Sequence, residues 1–381
     1  FMPKIAHVQV IPKLSGAQRF SLNILSKLDD YDKFIICSGR EEVSKEQLYS
    51  FINQMKKMNI NIIWAPSLQR RIGIHDIKCF FELYSIFKKY NFDIVHTNST
   101  KPGIVARIAA RIAGVKKIIH TVHGIAFHSN ESIFKKIFYY LVEAIALQFG
   151  SYNVTVNNYY LRYYKLFFWK KSLRIYNGVD FSAIERSLTN KGEKNPDERT
   201  VKKILFVGRL DKQKNPLTAL RAFKYLIQKN SNVIFDVVGD GELRKECETY
   251  VIENNLESKV FFHGWVEEPS SFYNNADIFY CPSSYEAFGF TFVEAAFFGL
   301  PIIASNVEGI PEVVIHGKMG FLTAPDDYID QANFIERLLY DNELYEEFSK
   351  YGKKYVVNNF SLPTSLSSYI SLYNETCGKK K

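Results

Sequence analysis

Short apolar runs recur along the first half of the chain and alternate with longer amphipathic stretches. The predicted strands are 5–10, 33–37, 60–64, 93–97, 117–122, 153–156 and 173–176. Segments with the apolar spacing of helices separate the earlier runs, at 17–27, 77–89 and 101–113. Strands that are apolar almost throughout and alternate with helices are typical of a parallel sheet covered on both faces.

The alternation stops at a polar segment and then begins again. Residues 189–198 are rich in charge and in residues that break regular structure, which predicts a linker or surface loop. Further strands are predicted at 203–208, 232–238, 259–262, 278–281 and 301–304, with helices between them. We therefore predict an α/β chain of two Rossmann-like, doubly wound domains, 1–180 and 181–362. A helix at 363–377 is expected to pack back on the first domain. Ligands of such sheets bind outside the carboxyl ends of the strands, so we expect the domains to face a cleft.

Composition narrows the class of protein. The 381 residues fit two domains, and 46% hydrophobic with 23% charged residues is a globular composition. The five cysteines are scattered and never form a C-x-x-C pair, which argues against a disulfide framework or a zinc site and for a reducing compartment. We find neither a bilayer-spanning apolar run nor a signal-peptide pattern, so we expect a cytoplasmic protein.

Charge is distributed unevenly between the two halves. Residues 1–180 contain 26 Lys and Arg against 12 Asp and Glu, a net charge of +14, whereas the remainder contains 23 against 28. Such a basic half suggests contact with an anionic surface, and without a nucleic-acid motif a membrane is favoured over nucleic acid. Two basic and aromatic segments, 133–142 and 159–171, are the candidate contacts for peripheral attachment. The alternative for both segments is a helix that merely covers the sheet.

The densest group of candidate site residues follows the strand predicted at 278–281. A glycine, Gly289, allows the backbone to turn there into a helix. The first amides of that helix, those of Gly289, Phe290 and Thr291, have no partner within a helix, and the helix dipole is positive at this end. This arrangement predicts an anion site at the mouth of the strand.

Four charged residues accompany that helix start. Glu286 lies before the helix and Glu294 lies about one turn inside it, so we expect the two carboxylates to contact different parts of one extended ligand. Arg209 and Lys214 follow the strand predicted at 203–208 and precede another helix. A planar guanidinium with a lysine ammonium suits a diphosphate, and both stay charged near neutral pH.

Several further motifs accompany these residues along the chain. In order, the motifs are Leu14 to Gln18, Asp93 to His96, His120 to Gly124, Tyr176 to Asp180, Phe206 to Lys214, Gly239 to Leu243, the Glu-x7-Glu pair Glu286 and Glu294, and Gly309 to Glu312. In this order, and over nearly the whole chain, the sequence resembles glycosyltransferase family 4. The members of that family are the retaining GT-B enzymes of bacterial capsule, O-antigen and lipopolysaccharide assembly.

The resemblance implies roles for the charged residues of the second domain. Glu294 would bind the ribose hydroxyls of the nucleotide, and Glu286 would bind the donor sugar. Arg209 and Lys214 would bind the diphosphate and stabilise the charge that develops on it. No metal ion is then expected. The pair Asp30 and Asp32 looks like the metal-binding D-x-D of another glycosyltransferase fold, but it precedes a strand and is predicted to be a surface turn.

The resemblance also implies roles for backbone groups and for the first domain. The amides of Gly289 and Phe290 would contact the distal phosphate. His123 would face the sugar across the cleft, and Gly16 would let the first loop approach the donor phosphate. The chain departs from the family pattern twice, with Ser15-Gly16 in the first loop and Glu308-Gly309 at sites where Gly-Gly is common.

The activity implied is retaining transfer of a sugar from a nucleotide diphosphate, expected to be UDP, onto a lipid-linked or polysaccharide acceptor. One alternative is a non-catalytic, nucleotide-sugar-binding partner subunit of a glycosyltransferase complex. Another is a nicotinamide or flavin oxidoreductase, which is disfavoured because no G-x-G-x-x-G follows the first strand of either domain.

Overall fold

The chain divides into two compact units. A computed structural model describes residues 2–12, 16–39, 43–69, 73–98, 100–125, 132–167, 172–188, 201–229 and 232–377. The predicted loop at 189–198 lies outside these ranges, as do residues 168–171 of the second aromatic segment. One unit contains residues 1–177 with 365–381, and the other contains residues 178–364. The predicted domains, 1–180 and 181–362, have bounds close to these.

The first unit contains a seven-stranded parallel sheet in the order β3-β2-β1-β4-β5-β6-β7. Its elements are β1 Lys4–Val8, α1 Gly16–Leu25, β2 Asp32–Cys37, α2 Lys45–Lys57, β3 Ile60–Trp64, α3 His75–Tyr90, β4 Ile94–Asn98, α4 Thr100–Ile112, β5 Lys117–Val122, α5 Ile133–Gln148, β6 Tyr152–Thr155, α6 Asn158–Phe167 and β7 Ser172–Arg174. Neighbouring strand residues such as Ile118 and Ile119 are both fully buried. Because successive strand side chains point to opposite faces, both faces of this sheet are covered.

The second unit contains a six-stranded parallel sheet in the order β10-β9-β8-β11-β12-β13. Its elements are α7 Phe181–Leu188, β8 Lys202–Val207, α8 Pro216–Ile227, β9 Val233–Val238, α9 Arg244–Glu253, β10 Val260–Gly264, α10 Ser270–Asn275, β11 Ile278–Cys281, α11 Phe290–Phe297, β12 Ile302–Ser305, α12 Ile310–Val313, β13 Gly320–Thr323, α13 Tyr328–Tyr340 and α14 Asn342–Asn359. The sheet order places β8, β11 and β12 side by side, so the loops that follow these strands leave from neighbouring positions on one edge.

Strand β13 was not predicted from sequence. It is only four residues long and begins with Gly320, a residue that weakens a strand pattern. The pairing with β12 nevertheless requires glycine, because a Cβ at position 320 would lie 2.1 Å from the carbonyl oxygen of Ile302. Ile302 lies 18 positions upstream of Gly320, so the residues around Gly320 do not by themselves reveal this contact.

The last helix, α15 (Leu362–Cys377), connects the end of the chain to the first unit. Ser365 Oγ donates to the carbonyl of Tyr176 at 2.8 Å. Further along the helix, Tyr369 and Tyr373 are fully buried and hydrogen-bond to side chains of the first sheet. Among the helices described, none is both long enough and apolar enough to span a bilayer.

Candidate functional site

The loop after β8 is organised by one aspartate. Asp211 Oδ1 accepts from the backbone amide of Lys214 at 3.0 Å, and its Oδ2 lies 3.1 Å from Arg209 Nη2. Asn215 then adopts a left-handed backbone with φ of 53°, and Pro216 begins α8. A single carboxylate therefore shapes the turn and contacts both cationic residues that the sequence analysis singled out.

The loop after β11 is bonded directly to this turn. The amide of Ser284 donates to the carbonyl of Gln213 at 2.8 Å, and Gln213 Nε2 donates to the carbonyl of Tyr285 at 3.3 Å. These two bonds bring together segments that are about 70 positions apart in sequence, because Gln213 and Ser284 lie in different loops. The position of Glu286 relative to Lys214 follows from this connection.

Lys214 and Glu286 form an ion pair between their Nζ and Oε2 atoms. Their side chains are only 12% and 13% exposed, respectively. Burial has the largest single effect and lowers the pKa of Lys214, but Glu286, Cys281 and Asp211 together raise it, and the net pKa is above the ordinary value. Lys214 is therefore a buried ammonium held in its charged form. Sequence analysis placed both residues in the site without foreseeing that they contact each other.

Arg209 has a different environment from Lys214. Its side chain is 63% exposed, and besides Asp211 it contacts Gln213, with Nη2 donating to Oε1 at 2.8 Å. A guanidinium held on one edge by two acceptors keeps its remaining N–H groups for other acceptors. The two predicted cations thus combine one fixed, buried charge with one that faces solvent.

The end of β9 lies very close to the end of β8, where the Arg209 loop begins. A Cβ at Gly239, whose φ is 137°, would lie 1.8 Å from the carbonyl oxygen of Gly208. Only glycine allows the end of β9 to lie this close to the end of β8. The loop is secured further by the amide of Leu210, which donates to Asp240 O at 3.0 Å. The role of the Gly239 turn is structural.

The helix start predicted at Gly289 is present. Gly289 has φ of 80° and precedes α11, and a Cβ there would lie 2.4 Å from the Phe292 ring. Within the described part of the chain, the amides of Gly289, Phe290 and Thr291 have no acceptor, and the buried Thr291 Oγ1 also has none. The end of the helix therefore presents several hydrogen-bond donors, and its dipole favours an anion.

Glu294 is oriented by a residue that sequence analysis missed. Tyr273, buried in the short helix α10, donates its hydroxyl to Glu294 Oε2 at 2.9 Å. Burial, followed by the charge of Glu294, raises the pKa of Tyr273 well above its ordinary value, so the hydroxyl remains a donor. No local signal marks Tyr273, because it lies 21 positions upstream of its partner.

His123 lies at the carboxyl end of β5 in the first unit. Its Nε2 donates to Asn98 Oδ1 at 3.1 Å, and its ring packs edge-on against Phe20 with a centroid distance of 4.8 Å. Burial lowers the pKa of His123 to about 4, so the imidazole is neutral at physiological pH. A neutral ring with one nitrogen committed to Asn98 is a fixed polar group. Its catalytic role stays a prediction.

Two further histidines at this edge are bridged by the last helix. The hydroxyl of Tyr373 lies 3.1 Å from His7 Nε2 and 2.5 Å from His96 Nδ1, so it donates to one ring and accepts from the other. His96 Nε2 lies 2.8 Å from Thr121 Oγ1. Burial lowers the pKa of His7 to about 3 and that of His96 well below its ordinary value. These are buried core histidines.

The remaining predicted positions lie in the first unit. Gly16 is the first residue of α1, while Leu14 and Ser15 lie outside the described residues. Asp30 lies in the turn before β2, as predicted for the D-x-D pair, whereas Asp32 is the first residue of the strand, and its Oδ1 accepts from Asn61 Nδ2 at 3.3 Å. In the described ranges, His, Cys, Asp and Glu side chains form no cluster of three that could hold a metal ion.

Helix α5 presents an exposed apolar face. The outward side chains are between 52% and 83% exposed, and they are Ile133, Phe134, Ile137, Phe138, Leu141 and Ile145. On the opposite face, Glu143 accepts from Arg107 Nη2 at 2.7 Å, and both side chains are almost fully buried. Because a buried ion pair is costly to separate, this contact fixes which face of α5 is turned outward.

The second aromatic segment behaves differently from α5. In α6, Tyr160, Leu161 and Tyr164 are buried against the first unit, with exposed fractions of 0%, 8% and 4%. The prediction that the run 159–171 forms an interfacial surface is therefore wrong for these three side chains. Tyr159 and Tyr163 of the same helix are half-buried, and residues 168–171 lie outside the described residues.

Two family models match this chain, one in each half. The family model described as "Glycosyltransferase Family 4" matches residues 15–183, and the one described as "Glycosyl transferases group 1" matches residues 189–355. Together they cover most of the chain, and both descriptions agree with the resemblance inferred from the motifs.

Curated relatives extend over nearly the whole chain. A protein of Escherichia coli named UDP-Gal:alpha-D-GlcNAc-diphosphoundecaprenol alpha-1,3-galactosyltransferase is 33% identical over 97% of this chain and 96% of its own length. The capsular polysaccharide biosynthesis glycosyltransferase CapM of Staphylococcus aureus is 27% identical, with 97% of each chain covered.

Among solved structures, a glycosyltransferase from Rickettsia africae superposes with a TM-score of 0.79. The two chains are 22% identical, and 99% of each is covered. The predicted α/β fold of GT-B type, built from two doubly wound sheets, is confirmed.

Proposed function

The chain belongs to the glycosyltransferases of family 4, and we propose that it transfers a sugar from a UDP-sugar to a lipid-linked saccharide, with retention of configuration. The observation that carries the proposal is the group at one sheet edge formed by Lys214, Glu286, Arg209 and the start of α11. The E. coli relative is named for a UDP-linked donor and a diphosphoundecaprenol-linked acceptor, which supports the same two substrate classes here.

We propose that the diphosphate binds at the cations and the start of α11. Breaking the bond between the sugar and the phosphate leaves negative charge on the leaving oxygen. Lys214 is fixed and charged, Arg209 has N–H groups facing solvent, and the first amides of α11 add a third set of donors. Charge partners that are held in place before the reaction are usually the largest contribution to catalysis.

The two glutamates divide the rest of the donor between them. Glu294, held by Tyr273, is proposed to accept from the ribose hydroxyls. Glu286 is proposed to contact the donor sugar, because its carboxylate lies on Lys214, next to the expected position of the diphosphate. A carboxylate can accept several hydrogen bonds, so Glu286 can bind a sugar hydroxyl and the Lys214 ammonium at the same time. It then has a partner both with and without the donor bound. We retain contacts of His123 and Gly16 with the donor as predictions.

Retention of configuration is part of the proposal, and the name of the E. coli relative supports it. The E. coli enzyme is named for an alpha-1,3 linkage in its product, and an α-linked nucleotide sugar that yields an α-linked product keeps its anomeric configuration. In a front-face reaction, the bond between the anomeric carbon and the phosphate oxygen breaks while the acceptor hydroxyl bonds to that carbon. The hydroxyl proton passes to the leaving phosphate oxygen. Such a reaction needs no side-chain nucleophile, and we assign none.

The donor can be tested with a panel of nucleotide sugars. Release of UDP should be fastest with one UDP-hexose and should accelerate when a lipid diphosphate-linked saccharide is added. The product anomer, read by proton NMR coupling at the anomeric carbon, should match that of the donor. An inverted product would overturn the retaining scheme. Binding of UDP without any turnover would favour the partner-subunit alternative, and tight binding of NAD would favour the oxidoreductase.

Metal independence is a second part of the proposal. Arg209 and Lys214 supply the positive charge that a cation would otherwise supply at the diphosphate. Turnover should therefore be unchanged in excess EDTA and after dialysis against a chelator. A strict requirement for manganese or magnesium would contradict this scheme and would return attention to Asp30 and Asp32.

We propose that α5 attaches the enzyme to an anionic membrane, where a lipid-linked acceptor would lie. Its exposed face contains six large apolar side chains between 133 and 145, and Lys135 is exposed among them. Apolar side chains enter the interface while lysines contribute about 1 kcal/mol each near an anionic surface, screened by salt. The net charge of +14 on residues 1–180 adds a long-range attraction.

Flotation with liposomes tests this attachment. The protein should rise with anionic vesicles at low salt and remain behind with neutral ones. Replacing Phe134 and Phe138 by Ser should abolish flotation, whereas the matched control Ile252→Ser with Tyr340→Ser, which changes exposed side chains of the second unit, should not. Binding of UDP should be intact in both variants. If the floating fraction were the same with anionic and neutral vesicles, and the same in the α5 variant as in the wild type, a soluble acceptor would be favoured.

A further inference from the structure

A cavity on the flank of the second unit lies between the helices α8, α9 and α13. Its volume is about 440 Å³. The described residues that line it are Arg221, Lys224, Tyr225, Gln228, Tyr250 and Tyr328. Along α8, Arg221 lies about 7.5 Å from the start of the helix and Gln228 about 18 Å from it. The proposed donor site is at the carboxyl edge of the sheet, and none of its residues lines this cavity.

The lining of the cavity is cationic, although it lies in the acidic half of the chain. Residues 181–381 contain 23 Lys and Arg against 28 Asp and Glu, yet the described lining residues include two cations and no carboxylate. In the described part of the chain, the guanidinium of Arg221 has no hydrogen-bond or ion-pair partner. Lys224 Nζ donates to a neutral amide oxygen, Asn254 Oδ1, at 2.6 Å. The two positive charges therefore lack acidic partners among the described residues.

Hydrogen bonds hold several groups of the cavity in place. Asn254, which accepts from Lys224, also donates its Nδ2 to the carbonyl of Tyr250 at 2.7 Å. Burial raises the pKa of Tyr250, the charge of Arg221 lowers it, and Tyr328 raises it. The net pKa is above the ordinary value, so the phenol of Tyr250 stays protonated near neutral pH and can donate a hydrogen bond.

The tyrosine rings provide apolar faces beside these polar groups. The rings of Tyr225 and Tyr328 meet edge-on, at an interplanar angle of 74° and with centroids 6.4 Å apart. These two rings therefore do not form a parallel pair that could enclose a nucleobase, whereas a sugar ring can pack its C–H groups against a single aromatic face. Lys229 lies over the Tyr225 ring, 5.1 Å from the centroid, and its ammonium is paired with Glu336 at 3.5 Å. This pair adds no net charge to the cavity.

We propose that this cavity binds a monosaccharide phosphate. Arg221 and Lys224 together carry two positive charges, which match the charge of about −2 that a phosphate monoester has near neutral pH. The guanidinium can bind two phosphate oxygens at once, and the ammonium adds a point charge. The phenols and the amide of Gln228 supply hydrogen bonds for the sugar hydroxyls. The inference does not depend on the proposed function, because the two sites share no residue.

Calorimetric titration with glucose 1-phosphate tests this site. The test variant combines Arg221→Ala with Lys224→Met, which keeps the apolar stem of the lysine. The matched control combines Lys245→Ala with Lys350→Met, because both lysines are exposed in the same unit and their loss changes the net charge equally. Glucose and inorganic phosphate are titrated for comparison. The Kd for UDP and the thermal midpoint are measured for each protein.

The wild-type protein should bind glucose 1-phosphate at least about tenfold more tightly than either glucose or inorganic phosphate. The test variant should weaken this binding about tenfold or more, as expected when a hydrogen bond between charged groups is lost. The control should change it less than about twofold, and the Kd for UDP should be the same in all the proteins. If Lys224→Met lowers the thermal midpoint, Arg221→Ala alone gives the same test, because Arg221 is exposed.

Four results would overturn the inference. They are a wild-type protein that does not bind glucose 1-phosphate, equal losses in the test variant and the control, inorganic phosphate bound as tightly as the sugar phosphate, and a parallel loss of UDP affinity in the test variant. The last result would show that Arg221 and Lys224 act on nucleotide binding instead.

Discussion

The carboxyl edges of the two sheets have the same architecture and opposite chemistry. In the second unit the edge carries charged groups, with Lys214 paired to Glu286 and Arg209 turned toward solvent. In the first unit the edge carries imidazoles whose pKa values burial lowers, such as those of His7 and His123. The edge of the second unit therefore combines a buried, paired charge with an exposed one, while the edge of the first unit keeps its titratable groups neutral.

The difference shows how a repeated fold acquires separate tasks. A buried charge needs a partner, and Lys214 has Glu286 as its partner. A buried histidine needs only hydrogen bonds, and the hydroxyl of Tyr373 supplies one to His7 and one to His96. The first edge is closed by the chain itself, through α15, whereas the second has amides and a guanidinium available for a ligand.

Removal of the buried cation at the edge of the second unit should have the largest effect. Lys214→Ala should lower kcat by about 100-fold to 1000-fold, as the loss of a preorganised charge partner does. It should also destabilise the second unit, because Glu286 is left buried without a partner. The exposed neighbour Lys212 is the matched control, and Lys212→Ala should change neither property.

The double variant Lys214→Ala with Glu286→Ala separates the loss of turnover from the loss of stability. It should recover much of the thermal midpoint, since no unpaired charge remains, while turnover stays low. Arg209→Ala should lower turnover with little change in the midpoint, because this side chain is 63% exposed. Near-normal turnover in either Arg209→Ala or Lys214→Ala would contradict their assignment to the diphosphate.

Removal of Glu294 should have the next largest effect. Glu294→Ala should raise the Kd for UDP about 10-fold to 100-fold, the range expected when a hydrogen bond to a charged group is lost. The effect on kcat should be smaller, because ribose contacts are the same in the ground and transition states. Tyr273→Phe should weaken UDP binding less, since it frees Glu294 without removing it. Calorimetry that shows unchanged UDP affinity in Glu294→Ala would contradict the ribose assignment.

At the edge of the first unit, the contact to test is the Tyr373 hydroxyl. Tyr373→Phe leaves nitrogens of His7 and His96 without this partner and should lower the free energy of unfolding by about 1–3 kcal/mol. Tyr369→Phe is the matched control and should cost less, because its hydroxyl has a single longer contact of 3.3 Å with Thr121 Oγ1. Both variants should bind UDP normally. Equal stability in the two would show that the bridge contributes nothing.

The smallest effect is a change in the pH dependence of stability. The folded-state pKa of His7, about 3, is below the unfolded value of 6.5. As the pH falls, His7 therefore binds a proton in the unfolded chain before it does in the folded protein. The stability that neutral His7 contributes is fully present above pH 6.5 and is lost as the pH falls below that value. One such histidine contributes about 1.4 kcal/mol per pH unit in that window.

His7→Gln should reduce this slope by about one proton between pH 6.5 and pH 5. Urea unfolding in a Trp265→Phe background measures it, because the remaining tryptophans, Trp64 and Trp169, both belong to the first unit. The slope above pH 7 should be the same in both proteins. An unaltered slope in the acidic window would mean that His7 is already protonated in the folded state.

Much of the site could be predicted because its signals are local. Gly289 before an apolar helix indicates the turn and the donor amides, and both features depend on a few adjacent residues. The partners of the charged residues could not be predicted in the same way. Lys214 contacts a carboxylate 72 positions away, and Glu294 contacts a tyrosine 21 positions upstream in another helix.

Surface and core aromatics show a similar limit. The segments 133–142 and 159–171 both combine aromatic and basic residues, and sequence analysis treated them alike. In the structure, α5 exposes its apolar side chains, whereas Tyr160 and Tyr164 of α6 are buried. The composition of a helix does not tell which face packs on the sheet, because that depends on neighbours such as Arg107, whose ion pair with Glu143 orients α5.

Local sequence patterns were enough to predict the two parallel α/β units, the family and the start of α11 at Gly289, because apolar periodicity and turn residues act over short distances. Three features became visible only in the folded chain: Lys214 binds Glu286, Tyr373 bridges two histidines, and Glu308 has a left-handed backbone. These features arise where loops and helices distant in sequence meet. Their energies come from burial and pairing, which exist only after the sheets have formed.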